Sequence, residues 1–185
     1  LSPGEIGSTD LTQYQVLVLG PRVYALAPGL AAFNDRIVEF ARGGGTVIVQ
    51  YGQQEMTRPG MLPFRIELAQ QPQRVTLENA PVTFVDPAAQ VLRFPNRISA
   101  GDFDGWMQER ALYMPSSVDT AWKKVLEMHD PDEPPNANSL LVARVGTGAF
   151  VYTTLAFHRQ VPQGSDGAIR LFVNLLAAGM RPPTR

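Results

Sequence analysis

The sequence predicts one α/β domain, a three-layer sandwich around a mostly parallel central sheet, with an antiparallel hairpin late in the chain. Three observations predict this class: a βαβ unit near the start, a Gly-x-Gly hairpin signal in the second half, and an amphipathic helix at the end. The length of 185 residues suits one compact domain. We assign residues 11–180 to this domain, 1–10 to a linker or edge segment, and 181–185 to a tail.

The βαβ unit has the strongest local signals. An apolar, β-branched run at 15–19 ends in a Gly-Pro pair and predicts a buried strand. Apolar residues then recur at helical spacing over 30–41, between a proline at the start and three glycines at the end. A second buried strand is predicted at 46–51. A right-handed crossover through the helix would make these two strands parallel.

Shorter elements are predicted between this unit and the end of the chain. Turn residues and β-branched runs predict strands at 65–68, 74–77, 82–85, 140–145 and 149–155, of which 74–77 and 82–85 flank one turn and the last two form a hairpin around Gly146-Thr147-Gly148. Helical segments are expected at 88–92, from Ser99 or Asp102 onward, at 121–128 and at 166–178.

Composition excludes several classes of partner and site. The net charge is −1, the isoelectric point is about 6.1 and the longest basic run is two lysines, so neither a nucleic-acid nor a membrane-surface partner is predicted. The absence of cysteine excludes disulfides, thiolate metal ligands and a cysteine nucleophile. No apolar stretch is long enough to predict a transmembrane helix. The chain starts at Leu1, and we expect it to be a piece of a longer polypeptide.

Several motifs resemble known proteins. The order of strand, helix, triple-glycine strand and Gly-x-Gly hairpin is similar to flavodoxin-like domains of the glutamine-amidotransferase-like type. More narrowly, 94–98, 105–110 and 159–162 resemble domains appended to bacterial LmbE-like (PIG-L-type) zinc-dependent N-acetylglucosaminyl deacetylases. This resemblance implies an accessory domain that holds glycan substrate or packs on the catalytic domain of its parent chain. Many such relatives are exported, which implies a periplasmic or extracellular location.

Two departures from working amidotransferases indicate a non-catalytic domain. The resemblance implies a cysteine on the turn after a central strand, but this turn reads Gln50-Tyr51-Gly52. It also implies a later His-x-Glu, whereas His158 is followed by Arg159-Gln160. Since acyl transfer needs both a nucleophile and an adjacent base, we predict no catalytic residue and no cofactor.

Ten residues are candidates for ligand binding. Arg22 and Tyr24 follow the first strand at its carboxyl end, where open α/β sheets bind ligands. Trp106 with its polar neighbours has the composition of a sugar platform, although a helix packed through Trp106 and Leu112 with a buried Arg–Glu pair is the alternative. The full set is Arg22, Tyr24, Asn96, Arg97, Trp106, Gln108, Glu109, Arg110, His158 and Arg159.

Other functions are weighed against this one. The segment 129–133 resembles the zinc motif of LmbE-like enzymes, but it follows a predicted helix and too few ligands accompany it, so an acidic loop is favoured and no metal is predicted. A structural oligomerisation module, similar to trimerisation domains of this fold in some β-galactosidases, is one alternative. A hydrolase acting on carbohydrate through Asp102, Asp104 or Glu109 is another, although carboxylates two residues apart diverge.

Overall fold

The computed structural model describes residues 1–181, which form a mixed α/β fold around a six-stranded sheet. The helices and strands are α1 (Pro3–Ser8), β1 (Val16–Leu19), α2 (Val23–Leu26), α3 (Asn34–Arg42), β2 (Thr46–Gln50), β3 (Ile66–Glu67), β4 (Gln73–Val75), β5 (Val82–Phe84), β6 (Ala111–Met114), β7 (Ser117–Val118), β8 (Lys123–Met128), β9 (Asn136–Val145), β10 (Gly148–Thr153), α4 (Phe157–Gln160) and α5 (Asp166–Leu176). Short 3₁₀ helices cover Leu11–Gln13, Pro28–Phe33, Gln54–Thr57, Gln90–Leu92 and Ala100–Phe103. In residues 1–181, no helix combines the length and the apolar character that a membrane crossing needs.

The sheet is mostly antiparallel, which corrects the prediction of a mostly parallel one. Its strand order is β1-β2-β10-β9-β8-β5. The β1–β2 and β2–β10 pairs are parallel, whereas β10–β9, β9–β8 and β8–β5 are antiparallel. The predicted hairpin is the cause: only two residues join β9 to β10, and so short a connection permits antiparallel pairing alone. Strands β8 and β5 then extend the sheet on the β9 side and not beside the parallel strands β1 and β2.

One sequence prediction fails because pairing with another strand overrides a local pattern. The segment 121–128, predicted as helical, contains strand β8, whose Val125 and Leu126 are fully buried. Pairing with β9 along its length overrides the local helical pattern. The strands predicted at 74–77 and 82–85 are present as β4 and β5. Strand β4 pairs with β6, and β5 pairs with β8 as the last strand of the sheet.

Both faces of the sheet are covered by apolar side chains. On β2, Val47 belongs to the cluster that includes Ile37 of α3, whereas Ile48 belongs to the cluster that includes Leu171 of α5. All four side chains are fully buried. Burial on two sides explains why the strand reads as a continuous apolar run, and each such side chain contributes about 1.5–3 kcal/mol relative to exposure.

The N-terminal segment contains a helix that packs on the core. Residues 1–10, predicted as a linker or edge segment, include α1, which begins with a capping box between Ser2 and Glu5. Ile6 of this helix is 7% exposed and belongs to the core cluster around α3. Of the predicted tail 181–185, only Arg181 lies within the described residues.

Gly148, the first residue of β10, allows the closest backbone approach in the centre of the sheet. A Cβ at this position would lie 2.2 Å from the carbonyl oxygens of both Ala41 and Gly45. We expect Gly148→Ala to destabilise the fold by about 1–3 kcal/mol, because backbone atoms must move to admit the methyl group. Urea unfolding followed by tryptophan fluorescence would measure this loss. Gly29→Ala is the control, since a Cβ at Gly29 meets open space; similar losses in both variants would contradict the prediction.

Candidate functional site

The carboxyl ends of the three parallel strands lie at one edge of the sheet. Arg22 follows β1, Tyr51 follows β2 and His158 follows β10 by a few residues. A bridge between Ala111 and Leu155 brings β6 to the same edge, so that Tyr113 joins them. Ligands of open α/β sheets bind at this edge. We name the residues that meet here the carboxyl-edge cluster: Arg22, Tyr51, Gln53, Arg74, Gln108, Glu109, Tyr113, His158 and Arg159.

Stacked aromatic rings form the centre of the cluster. The ring centres of Tyr51 and Tyr113 are 5.7 Å apart at an interplanar angle of 22°, and the His158 ring centre lies 5.6 Å from that of Tyr51. The Arg74 guanidinium lies 5.7 Å from the centre of the Tyr113 ring. Burial, and then the nearby Glu109 carboxylate, raises the pKa of Tyr51. Tyr51 therefore stays a neutral phenol across the physiological pH range.

A buried carboxylate fixes two arginines beside these rings. Glu109 is 5% exposed, and its Oε1 accepts from Arg159 Nη2 at 2.8 Å and Nε at 3.1 Å. Its Oε2 accepts from Arg74, and this hydrogen bond raises the pKa of the Arg74 guanidinium. The Gln108 side-chain oxygen also accepts from Arg159. The two guanidinium groups are held in place by one carboxylate, at the cost of removing its charge from water.

Backbone strain coincides with the cluster. Among residues 1–181, the non-glycine residues with left-handed φ are Arg22, Gln108 and Tyr113, at 55°, 63° and 51°. All three belong to the carboxyl-edge cluster. Such a conformation costs on the order of 1 kcal/mol or more per residue and persists only where the surroundings impose it. For Arg22, a hydrogen bond of 2.7 Å from its N–H to the Tyr51 carbonyl holds the turn. Concentrated strain of this kind is typical of binding sites.

The structure brings half of the ten predicted binding residues together. Arg22, Gln108, Glu109, His158 and Arg159 lie in the cluster, although they are far apart in sequence. The cluster residues that the sequence analysis missed are Tyr51, Gln53, Arg74 and Tyr113. The sequence position of Tyr51, at the end of a predicted central strand, could have identified it as a candidate. No sequence signal marks Tyr113 or Arg74, because only the pairing of β6 with β4 brings them to this edge.

Trp106 and Tyr24 lie in the core, so neither lines a binding surface; for Trp106, this confirms the alternative of core packing. Trp106 is 2% exposed and packs against Phe103 and Phe157, with ring centres 5.1 Å and 6.0 Å away. Its ring has no free face for a sugar. Tyr24 is 3% exposed and donates its hydroxyl hydrogen bond to the Asn34 side chain. Burial raises the pKa of Tyr24 far above its ordinary value.

The remaining predicted residues are structural or lie elsewhere. Arg110 is 5% exposed and donates to the Phe103 carbonyl at 2.9 Å, and burial lowers its pKa. The buried Glu109 carboxylate pairs with Arg74 and Arg159 instead of Arg110. Asn96 exchanges hydrogen bonds with the fully buried Asn174. The exposed Arg97 accepts from Arg170 at its carbonyl, at 2.7 Å.

Other acidic groups serve separate networks. Asp102 accepts from Ser99 at the start of a 3₁₀ helix and pairs with Arg170 at 3.3 Å, whereas Glu109 pairs with Arg74 and Arg159. In the segment 129–133, which resembles a zinc motif, the Asp130 carboxylate accepts hydrogen bonds from the backbone N–H and the hydroxyl of Thr76. Within residues 1–181, no group of three or more His, Cys, Asp or Glu side chains is placed to hold a metal ion.

Comparison with solved structures reveals similarity at the level of the fold. The β-galactosidase of Rahnella sp. R3 is 15% identical, with a TM-score of 0.54; the match covers 95% of this chain and 24% of that one. A ThuA-like protein from Bacteroides uniformis ATCC 8492 is 12% identical, with a TM-score of 0.51, and covers 93% and 75% of the two chains. This chain thus spans about a quarter of the β-galactosidase. No protein-family model and no curated protein sequence matches it.

Glu109 is expected to stabilise the fold through its two arginines. We expect Glu109→Ala to lower the free energy of unfolding by about 2–3 kcal/mol, because two guanidinium groups lose the carboxylate that holds them. The matched control is Glu39→Ala, which removes an exposed pair with Arg42 and should cost less than about 0.5 kcal/mol. Chemical denaturation measures both variants. Equal effects would show that the buried network does not stabilise the fold.

His158 is expected to titrate below its ordinary pKa of 6.5. Partial burial, and then the neighbouring Arg159, lowers the pKa of His158 because both disfavour its protonated form. The folded chain therefore takes up this proton less readily than the unfolded chain, and stability is lost as the pH falls from 6.5 through the folded pKa. An NMR titration of the imidazole proton, assigned with His158→Gln, measures the midpoint. A midpoint at or above 6.5 would contradict the expectation.

Proposed function

We propose that this chain is a non-catalytic, carbohydrate-binding accessory domain of a larger bacterial protein, with the three-layer fold of glutamine-amidotransferase-like domains. The carboxyl-edge cluster carries the proposal. It combines aromatic rings with fixed hydrogen-bonding side chains, and it stands at the edge of the sheet where ligands of this fold class bind. The β-galactosidase of Rahnella sp. R3, which contains a region of similar fold, is itself a carbohydrate-active enzyme.

The cluster has the two kinds of contact that a sugar needs. The CH face of a pyranose packs against an aromatic ring, and its hydroxyl groups need directed donors and acceptors. Tyr113 is half-buried and His158 is exposed, so their rings are within reach of a ligand, whereas Tyr51 supports them from below. The Glu109 carboxylate prevents Arg74 and Arg159 from moving when a ligand binds, which reduces the entropy lost on binding.

The chemistry of the cluster favours binding over catalysis. The chain has no cysteine to act as an amidotransferase nucleophile, and Tyr51 stands on the turn after the central strand β2. Both oxygens of Glu109 accept hydrogen bonds from arginines, and this engagement opposes a role for Glu109 in proton transfer.

The parent chain is proposed to be an LmbE-like deacetylase, in which this domain would hold substrate glycan near the catalytic domain. The motifs at 94–98, 105–110 and 159–162 support this proposal. It predicts a His-Pro-Asp-Asp-Glu zinc motif in the full-length coding sequence, upstream of this domain. A parent sequence of another class would overturn the assignment of the parent and leave the binding proposal to its own test.

Glycan binding can be tested on the isolated chain. Calorimetric titration with chitooligosaccharides and other N-acetylated, neutral and acidic oligosaccharides should give saturable binding, weakened about tenfold in Tyr113→Ala because the ring contact is lost. Tyr113→Gly is the second variant, since glycine tolerates the left-handed backbone at this position. Tyr14→Ala is the matched control: Tyr14 is 39% exposed and precedes β1, at the opposite edge of the sheet.

Two outcomes separate binding from a structural role. Trp106 and Trp122 are 2% and 3% exposed, so their fluorescence reports whether each variant is folded, and not whether a sugar is bound. No heat change across the panel with a folded protein would overturn the proposal. A concentration-independent oligomer by light scattering would then favour the oligomerisation alternative.

A further inference from the structure

Two arginines lie near the stacked tyrosines of the carboxyl-edge cluster. The Arg22 N–H donates to the Tyr51 carbonyl, and the Arg22 side chain donates to the Gln53 side chain at 3.3 Å. The Arg74 guanidinium lies 5.7 Å from the Tyr113 ring centre. Tyr51 is only 7% exposed, so a ligand at this edge contacts Tyr113, with the Arg74 guanidinium beside that ring and Arg22 in the same cluster.

The hydrogen bonds of these arginines leave donors free. Within residues 1–181, the side chain of Arg22 donates one hydrogen bond and that of Arg74 donates one, whereas Arg159 donates from all three of its nitrogens. A guanidinium group has two edges that each present a pair of parallel N–H groups. One hydrogen bond occupies only one edge, so Arg22 and Arg74 each retain a complete edge. Arg159 acts as a positioning residue.

The acceptors of the cluster are largely engaged. Both oxygens of Glu109 and the side-chain oxygens of Gln53 and Gln108 accept from arginines. Glu55 and Glu78 border the cluster, and each accepts a backbone N–H with one oxygen. The groups left over therefore include a pair of parallel donors on each of Arg22 and Arg74, of which Arg74 is oriented by Glu109. Their natural complement is a carboxylate, which accepts two parallel hydrogen bonds from one edge.

We propose that the cluster binds an acidic glycan, with the carboxylate of a hexuronic acid unit held by the free guanidinium edge of Arg22 or Arg74. The sugar ring then lies beside Tyr113 and His158. This inference rests on the proposed carbohydrate-binding function and adds the chemical class of the ligand. Neutral sugars would bind more weakly, because their hydroxyl groups supply no planar pair of acceptors for the guanidinium edge.

The test compares acids with their uncharged esters. Oligosaccharides of galacturonic, glucuronic and mannuronic acid are titrated into the 185-residue chain by calorimetry, each beside its methyl ester, which keeps the ring and removes the charge. We expect at least one acid to bind about tenfold more tightly than its ester, with the preference reduced at high salt. Arg22→Gln or Arg74→Gln should weaken that acid about threefold to tenfold and weaken its ester less, so that the preference for the acid falls. An undiminished preference in both variants would overturn the inference. Arg22 lies outside the Glu109 network, so Arg22→Gln is expected to fold.

Controls distinguish the failure of this inference from that of the proposed function. Arg144→Gln changes an exposed arginine beside the β9–β10 turn, at the opposite edge of the sheet, and should bind like the parent chain. Equal binding of acid and ester would overturn the acidic-glycan inference while the carbohydrate-binding function stands. Equal binding of an oligoglutamate of the same charge would overturn it too, because the sugar ring would then contribute nothing. Binding of none of the acidic, esterified or neutral oligosaccharides would overturn the proposed function itself.

Discussion

The parallel pairing of β10 with β2 is the contact on which the rest of the structure depends. Five residues of each strand are in register, from Ala149 opposite Thr46 to Thr153 opposite Gln50. This ladder joins the N-terminal βαβ unit to the antiparallel half of the sheet. The two strands can lie side by side because Gly148 has no side chain where the backbone of 41–45 passes. Because β2 and β10 end together, Tyr51 and His158 also meet.

The carboxyl-edge cluster depends on that register and on one buried charge. Glu109 reaches the edge because the Arg110 carbonyl accepts from the Ala156 N–H at 2.9 Å, just beyond β10. One oxygen of its carboxylate pairs with Arg74 and the other with Arg159. Removing a carboxylate from water is unfavourable unless each oxygen is paired, and here both are. The same pairing explains how strained backbone at Gln108 and Tyr113 persists, since neighbouring side chains hold it.

Aromatic residues occur in two places in this fold, in the core and in the carboxyl-edge cluster. Trp106, Phe103 and Phe157 pack together beneath α5 and contribute apolar burial. Tyr113 is half-buried at the carboxyl ends of the strands, and the buried Tyr51 stacks on it near charged groups. Composition cannot distinguish these two sets, because both combine a ring with nearby carboxylates and arginines. Burial decides which set a ligand can touch.

Local sequence patterns determined the βαβ unit, the hairpin around Gly146 and the last helix. Their signals lie within a few residues of one another: apolar periodicity, a helix stop at the glycines, and a two-residue turn with a left-handed glycine. These patterns also identified five residues of the cluster. Tertiary structure alone decided that 121–128 pairs as strand β8, that the sheet is mostly antiparallel, and that Trp106 is buried. It also decided the site, since Glu109 lies 35 residues from Arg74 and 50 from Arg159 along the chain. Ion pairs and strand partners at such separations form only after the chain has packed, so no local pattern encodes them.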